Sequence, residues 1–191
     1  YFLAHIFESN DAAITVGVLS VMVFAASWIA LRTIQQKRRK FYQFALMAIL
    51  IGGGLTLFLV TQFVLKLNPW FMPRYMIPLA GMIFASSMNG VSLAAERLQA
   101  EMDRNVEYIQ ARSIALRAAL IPITNSLFAV GLVSLPGMMT GQILSGVSPL
   151  IAARYQIMVM CMIFSAVGLS SALFLIMIKS QLSELTGKTL K

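Results

Sequence analysis

Five long apolar stretches dominate this sequence, and they constrain the fold more than any other feature. They cover 12–31, 41–65, 75–95, 113–135 and 155–178. A helix rises about 1.5 Å per residue, so roughly 20 apolar residues cross the hydrocarbon core of a bilayer. Of the 191 residues, 59% are hydrophobic and 12% are charged, which exceeds what one soluble core needs. We predict an all-α, polytopic transmembrane helix bundle with about five spans.

The basic residues are distributed unevenly between the segments that connect these spans. Twelve Lys and Arg side chains fall in segments 32–40, 96–117 and 179–191. The remaining three are Lys66, Arg74 and Arg154. Cytoplasmic segments of membrane proteins are enriched in Lys and Arg. We therefore predict a transmembrane domain over 1–178 with cytoplasmic loops at 32–40 and 96–112, followed by a cytoplasmic tail at 179–191.

The formal net charge is +8, which by itself would also be typical of nucleic-acid binding. Basic residues at span ends, however, orient a membrane protein and contact anionic headgroups. We expect the lipid bilayer as a partner and no nucleic acid. The single cysteine, Cys161, lies in an apolar run and cannot form an internal disulfide.

Known catalytic motifs are missing from the sequence. Neither H-E-x-x-H nor G-x-S-x-G occurs, and His5 is the only histidine. The segment Gly187-Lys188-Thr189 resembles the end of a phosphate-binding P-loop, but Leu182 stands where its first glycine belongs. The span interiors also lack the ionisable groups that proton-driven carriers use as relays. We expect no enzyme activity, and energy supplied by a partner or by a gradient.

Polar and thioether side chains could border a permeation pathway. On the third span, Met82, Ser86, Asn89, Ser92 and Glu96 are spaced four, three, three and four apart, which places them on one helical face. Hydrogen bonding between helices explains such a row equally well.

A second row follows the fourth span into a segment rich in glycine and proline. It comprises Thr124, Gly131, Ser134 and Met138. Broken helices of this kind line cavities in transporters, although the segment could also simply reverse the chain. Thioethers bind soft metals and favour copper(I) over iron(II), so they leave the metal unidentified. The pathway candidates are Met82, Asn89, Ser92, Met138, Met139, Gln142 and Met158.

Two blocks of sequence resemble a known family. The first runs from Ile77-Pro-Leu-Ala-Gly81 through Met88-Asn-Gly-Val-Ser-Leu93. The second contains Ala118-Ala-Leu-Ile-Pro122 and the distinctive run Ser134-Leu-Pro-Gly-Met-Met-Thr-Gly141. Both are similar to the FetB-type permeases, membrane subunits of bacterial ABC transporters assigned to iron export, with plant relatives in aluminium tolerance.

This resemblance implies a permease without catalytic residues in the bacterial inner membrane, and the distribution of Lys and Arg places its C-terminus in the cytoplasm. It implies export of iron or a related metal, driven by a separate cytoplasmic ATPase that binds ATP and Mg, with two copies of each subunit. About seven spans are then expected in the complete protein. Alternatives are an ABC permease for a nucleotide sugar or another polar solute, or a channel or scaffold subunit that uses no ATP.

Docking of the ATPase is expected on the polar segment that follows the third span. The candidate docking residues are Glu96, Arg97, Glu101, Arg104, Glu107 and Arg112. A solvated amphipathic helix is the alternative interpretation. The chain departs from the resemblance at two places: Ala85-Ser86 replaces the usual Gly-Asn, and Arg112 runs directly into Ser113 where relatives carry a longer loop with a Leu-Gly-Ala-Thr segment.

Overall fold

A computed structural model describes residues 11–32, 34 and 38–186. The predictions made for His5, for residues 33 and 35–37 of the basic segment 32–40, and for Gly187-Lys188-Thr189 lie outside the described residues.

Six α-helices make up the described chain, and one of them continues into a π-helical turn. They are α1 (Ala12–Ala30), α2 (Arg38–Leu59, extended by the π-helical turn Val60–Val64), α3 (Pro73–Asp103), α4 (Tyr108–Ala129), α5 (Gly137–Leu144) and α6 (Pro149–Thr186). Their starts follow from local sequence. Asp11 caps α1 by accepting from the Ala13 amide at 2.8 Å. Pro73 opens α3, where a missing amide donor costs little.

Helices α3 and α6 form the centre of the bundle. Helix α6 packs against α2, α3, α4 and α5, and α3 also packs against α1, α2 and α4. The core between them is apolar, with Ile83 and Phe174 fully buried. Many large apolar side chains on the outside remain exposed, including Phe128 and Leu132. This distribution suits a bundle whose outer surface is solvated by lipid.

Small residues bring α2, α3 and α6 into close contact. A Cβ placed on Gly52 of α2 would lie 2.7 Å from the backbone nitrogen of Ser170 on α6. A Cβ on Gly90 of α3 would lie 2.7 Å from Val167 Cγ1, also on α6. Ser170 Oγ donates to Ser87 Oγ of α3 at 3.2 Å. Gly52 and Gly90 therefore allow α2 and α3 to pack closely against α6.

The predicted all-α membrane fold is confirmed. Four helical stretches in the described part of the chain are long and apolar enough to cross a membrane, and they are Ala12–Ala30, Arg39–Val64, Pro73–Asp103 and Pro149–Lys179. The fourth expected span, 113–135, differs because α4 starts at Tyr108 and ends at Ala129. Arg117 leaves only 118–129 uncharged in this helix, about 18 Å at about 1.5 Å per residue.

Other helix boundaries also differ from the sequence-based expectations. The expected loop 96–112 is largely helical, because α3 continues to Asp103 and α4 begins at Tyr108. Glu, Gln, Met, Ala and Arg dominate the end of α3, and these residues favour helix beyond an apolar span. Helix α6 likewise extends into the expected tail, to Thr186. The segment after α4 turns at Gly131, whose φ of 81° suits glycine, before the short helix α5.

Candidate functional site

A cavity of about 390 Å³ lies between α3, α4 and α6. Its polar lining comes from Asn89, Ser86 and Ser126. Ser126 Oγ donates to the Pro122 carbonyl at 3.0 Å, whereas the Asn89 amide has no hydrogen bond to any other described residue. Asn89 is exposed and lines the cavity, so its amide can donate to or accept from a polar group that enters it.

A second cavity of about 640 Å³ continues the first toward the end of α3. Leu93 and Pro122 line both cavities and mark where they meet. We name the combined feature the α3–α4 groove, lined by the residues 86–100 and 114–126 that face it. Glu96, Arg97 and Arg117 line its wide end, so the groove passes from a charged mouth to an uncharged polar interior.

The loop that joins α3 to α4 turns tightly beside the charged mouth. Asn105, with a φ of 60°, reverses the chain, and asparagine tolerates this left-handed conformation better than most residues. We call Glu101 to Tyr108 the α3–α4 hairpin. Glu101 is only 4% exposed, and its Oε1 lies 2.7 Å from Arg97 Nη2 and 3.7 Å from Arg104 Nη1. Two cations therefore neutralise the one buried carboxylate in the hairpin.

Tyr108 connects this hairpin to α6. Its hydroxyl donates to the Leu175 carbonyl, and its side chain is 1% exposed. Lys179 Nζ lies 5.9 Å from the centre of the Tyr108 ring, within cation–π range. Burial raises the pKa of Tyr108 to about 12, although the Arg112 guanidinium opposes the shift. The phenol thus remains protonated, and able to donate, at physiological pH.

Tyr108 is a structural residue that the sequence alone does not reveal. The only available signal was an aromatic residue within an otherwise charged segment, and that signal does not identify a partner 67 positions away.

The candidate docking residues differ in their surroundings. Glu96, Arg104 and Glu107 are exposed, and Arg97 and Arg112 are partly buried. Glu101 is buried and holds the hairpin together, so its carboxylate does not lie on the surface where a partner would bind.

The candidate pathway residues do not share one cavity. Asn89 lines the α3–α4 groove, whereas Met139 and Met158 line two separate cavities along α6. Met82 packs against the apolar core, and Met138 is 41% exposed. Ser92 and Gln142 are partly buried and line none of these cavities. Of the seven candidates, only Asn89 therefore lies in the α3–α4 groove, and the other six are distributed over different parts of the bundle.

The long apolar helices and their lipid-compatible exterior define a multi-pass α-helical membrane protein. Comparison with known proteins assigns the family. The chain matches the uncharacterised protein family UPF0014 over residues 1–114 and 108–182. It belongs to this family, and the predicted resemblance is confirmed. The two matched pieces overlap at the start of α4, where the sequence also departs from the resemblance.

Three relatives illustrate the breadth of the family. The probable iron export permease protein FetB of Escherichia coli is 36% identical, over 90% of this chain and 70% of the relative. UPF0014 membrane protein slr1647 of Synechocystis is 34% identical, over 90% of this chain and 72% of the relative. Protein ALUMINUM SENSITIVE 3 of Arabidopsis thaliana is 34% identical, over 90% of this chain and 67% of the relative. No solved structure is significantly similar to this chain.

Proposed function

We propose that this chain is the membrane permease subunit of an ABC transporter that exports iron or a related metal ion. In this proposal a separate cytoplasmic subunit binds ATP and Mg and hydrolyses the ATP, and the chain itself transports without catalysing a covalent reaction. Two permeases and two ATPases form the complex in the bacterial inner membrane, with the permease C-terminus in the cytoplasm.

The relatives support the transport part of this proposal. FetB of Escherichia coli is named a probable iron export permease, and it is similar to most of this chain. The plant relative is named for aluminium sensitivity, which also concerns a metal ion.

The observation that carries the proposal is the position of the α3–α4 groove next to the α3–α4 hairpin. The charged mouth of the groove and the exposed end of the hairpin lie at the same end of α3. Tyr108 links the hairpin to α6, and α6 lines the inner part of the groove through Ile163 and Val167. A force applied to the hairpin therefore has a packed route to the cavity wall.

A binding experiment tests the partnership. The chain is expressed with a candidate ABC ATPase, purified, and analysed for a stable complex and for ATP hydrolysis. Glu107→Lys reverses an exposed charge at the hairpin and should weaken the complex. Arg74→Glu, an exposed charge reversal at the opposite end of α3, is the matched control and should leave the complex intact.

A transport experiment tests the cargo. Inside-out vesicles that contain the complex should accumulate Fe(II) only when ATP is present. Accumulation of a nucleotide sugar in its place would identify the alternative ABC cargo. The absence of a complex at micromolar concentrations, or transport that needs no ATP, would contradict the proposal and favour a channel or scaffold.

A further inference from the structure

Sulfur-containing side chains are concentrated in one short stretch of α6. Met158, Met160, Cys161 and Met162 occupy four of five consecutive positions. Residues at these spacings point in different directions around a helix, so they face more than one neighbour. Two cavities border this stretch, and both reach Cys161.

The first of these cavities lies between α6 and the segment formed by α5 and the turn before it. Its volume is about 310 Å³, and we call it the sulfur cavity. Met139 of α5 lines it together with Met160 and Cys161. Gly131 and Leu135 of the turn close another side. Three sulfur-containing side chains from two helices therefore line one half-open cavity.

Gln156 contributes a buried amide beside this cavity, and its oxygen has no hydrogen-bond partner among the described residues. It lines the same cavity one turn before Met160, is only 5% exposed, and its buried Oε1 accepts no hydrogen bond from the described residues. A buried amide oxygen without a partner costs about 1–3 kcal/mol. Such a cost is tolerated at sites where a ligand supplies the missing interaction.

A second cavity provides access to this site. It has a volume of about 500 Å³, lies between α2 and α6, and is lined by Met158 and Met162. Ile157 and Cys161 line both cavities, and Cys161 is exposed. An ion could therefore reach Cys161 from the second cavity while passing other thioethers.

The chemistry of this group of ligands selects the ion. Thiolate and thioether sulfurs prefer soft ions, of which copper(I) is the usual one in proteins. On binding, the Cys161 thiol would release its proton to water and leave one negative charge. A monovalent ion would then form a neutral site, whereas a divalent ion would leave a charge that is expensive to bury in the membrane.

We propose that Cys161, Met139 and Met160, assisted by the Gln156 carbonyl oxygen, form a binding site for a soft monovalent metal ion, copper(I) or silver(I). The site is separate from the α3–α4 groove and does not depend on the ATPase. It can therefore be tested whether or not the function proposed above is correct.

Metal titration of the full chain in lipid nanodiscs tests this site. Copper(I) is added under anaerobic conditions in competition with a chromogenic chelator, and silver(I) is measured by elemental analysis after gel filtration. We expect one ion per chain. Cys161→Ser and Met160→Leu should each weaken binding about tenfold or more, since even outer ligands of metal sites contribute that much. Met138→Leu is the matched control, because Met138 is exposed and lines neither cavity.

A second measurement guards against variants that fail to fold. Cys161 is the only cysteine, so the rate of maleimide labelling reports on this thiol alone. Copper(I) or silver(I) should slow the labelling of Cys161 in the wild type. In Met139→Leu the metal should no longer slow labelling, and the labelling rate in the absence of metal should equal that of the wild type. Unchanged affinity in Cys161→Ser, or labelling of the wild type that the metal does not slow, would overturn the proposal.

Discussion

At the scale of single residues, Tyr108 and Asn89 show two opposite uses of a polar side chain. Tyr108 is buried and satisfied by the Leu175 carbonyl, so it contributes to holding two elements together. Asn89 faces the α3–α4 groove and has no hydrogen-bond partner among the described residues, so its amide is free to bond to a molecule in the groove. The first should matter for stability and the second for transport.

Removing the Tyr108 hydroxyl should destabilise the protein modestly. We expect Tyr108→Phe to lower the free energy of unfolding by about 1 kcal/mol, because one buried hydrogen bond is lost and the Leu175 carbonyl lies inside a helix that offers it a backbone partner. Thermal unfolding in detergent measures the change. Tyr155→Phe, at an exposed tyrosine on α6, should have no effect. Equal effects of both substitutions would contradict this role.

Replacing Asn89 should slow transport without affecting expression. We expect Asn89→Leu to reduce ATP-driven Fe(II) uptake into inside-out vesicles about fivefold, since a lost hydrogen bond costs about 1 kcal/mol. The control is Asn125→Leu, because Asn125 is exposed on α4 and lines neither part of the groove. Normal flux through the Asn89 variant would remove this residue from the pathway.

At the scale of helices, the close contact among α2, α3 and α6 is the most demanding feature. Gly52 approaches the Ser170 backbone, and Ser170 is hydrogen-bonded to Ser87. Thr56 lies one turn after Gly52, and its hydroxyl donates a hydrogen bond to the Gly52 carbonyl at 2.8 Å. It therefore needs no partner from another helix. The contact therefore depends on small size more than on polar pairing.

A single methyl group should disturb this contact. Gly52→Ala should lower the free energy of unfolding by about 1–3 kcal/mol, because the new Cβ would meet backbone atoms that cannot rotate away. Gly54→Ala is the control two residues along, where a Cβ would meet nothing within 4 Å. Thermal unfolding of both variants checks the difference. Helix propensity alone would make both variants slightly more stable, so equal changes in the two variants would contradict a packing role for Gly52.

At the scale of the whole molecule, hydropathy predicted the membrane fold well, because a lipid-exposed helix must be apolar along its length. The sequence did not predict the cavities. Asn89 and Met139 both follow plausible pathway patterns, yet they lie in different cavities, since one-dimensional spacing does not show which helix packs opposite. Glu101 resembled its charged neighbours in sequence, and only packing distinguishes it as buried.

The orientation in the membrane stays a prediction, which labelling from each side can test. In a Cys161→Ser background, Asn105→Cys at the hairpin should react with an impermeant maleimide only after the membrane is permeabilised. Asn68→Cys, in the loop between α2 and α3, should react from outside in intact cells. This result is expected because twelve of the fifteen basic residues lie on the predicted inner side. The reverse pattern would invert the topology.

The near-touching backbones at Gly52 and Ser170 also limit how the bundle can change shape. Sliding α6 along α2 would drive Ser170 into the side chains on either side of Gly52, whereas tilting about this point keeps the two surfaces matched. If α6 tilts relative to α2 about the contact between Gly52 and Ser170, the two ends of α6 move in opposite directions. A push at the inner end would thereby spread or narrow the outer end, as alternate exposure to the two sides of a membrane requires.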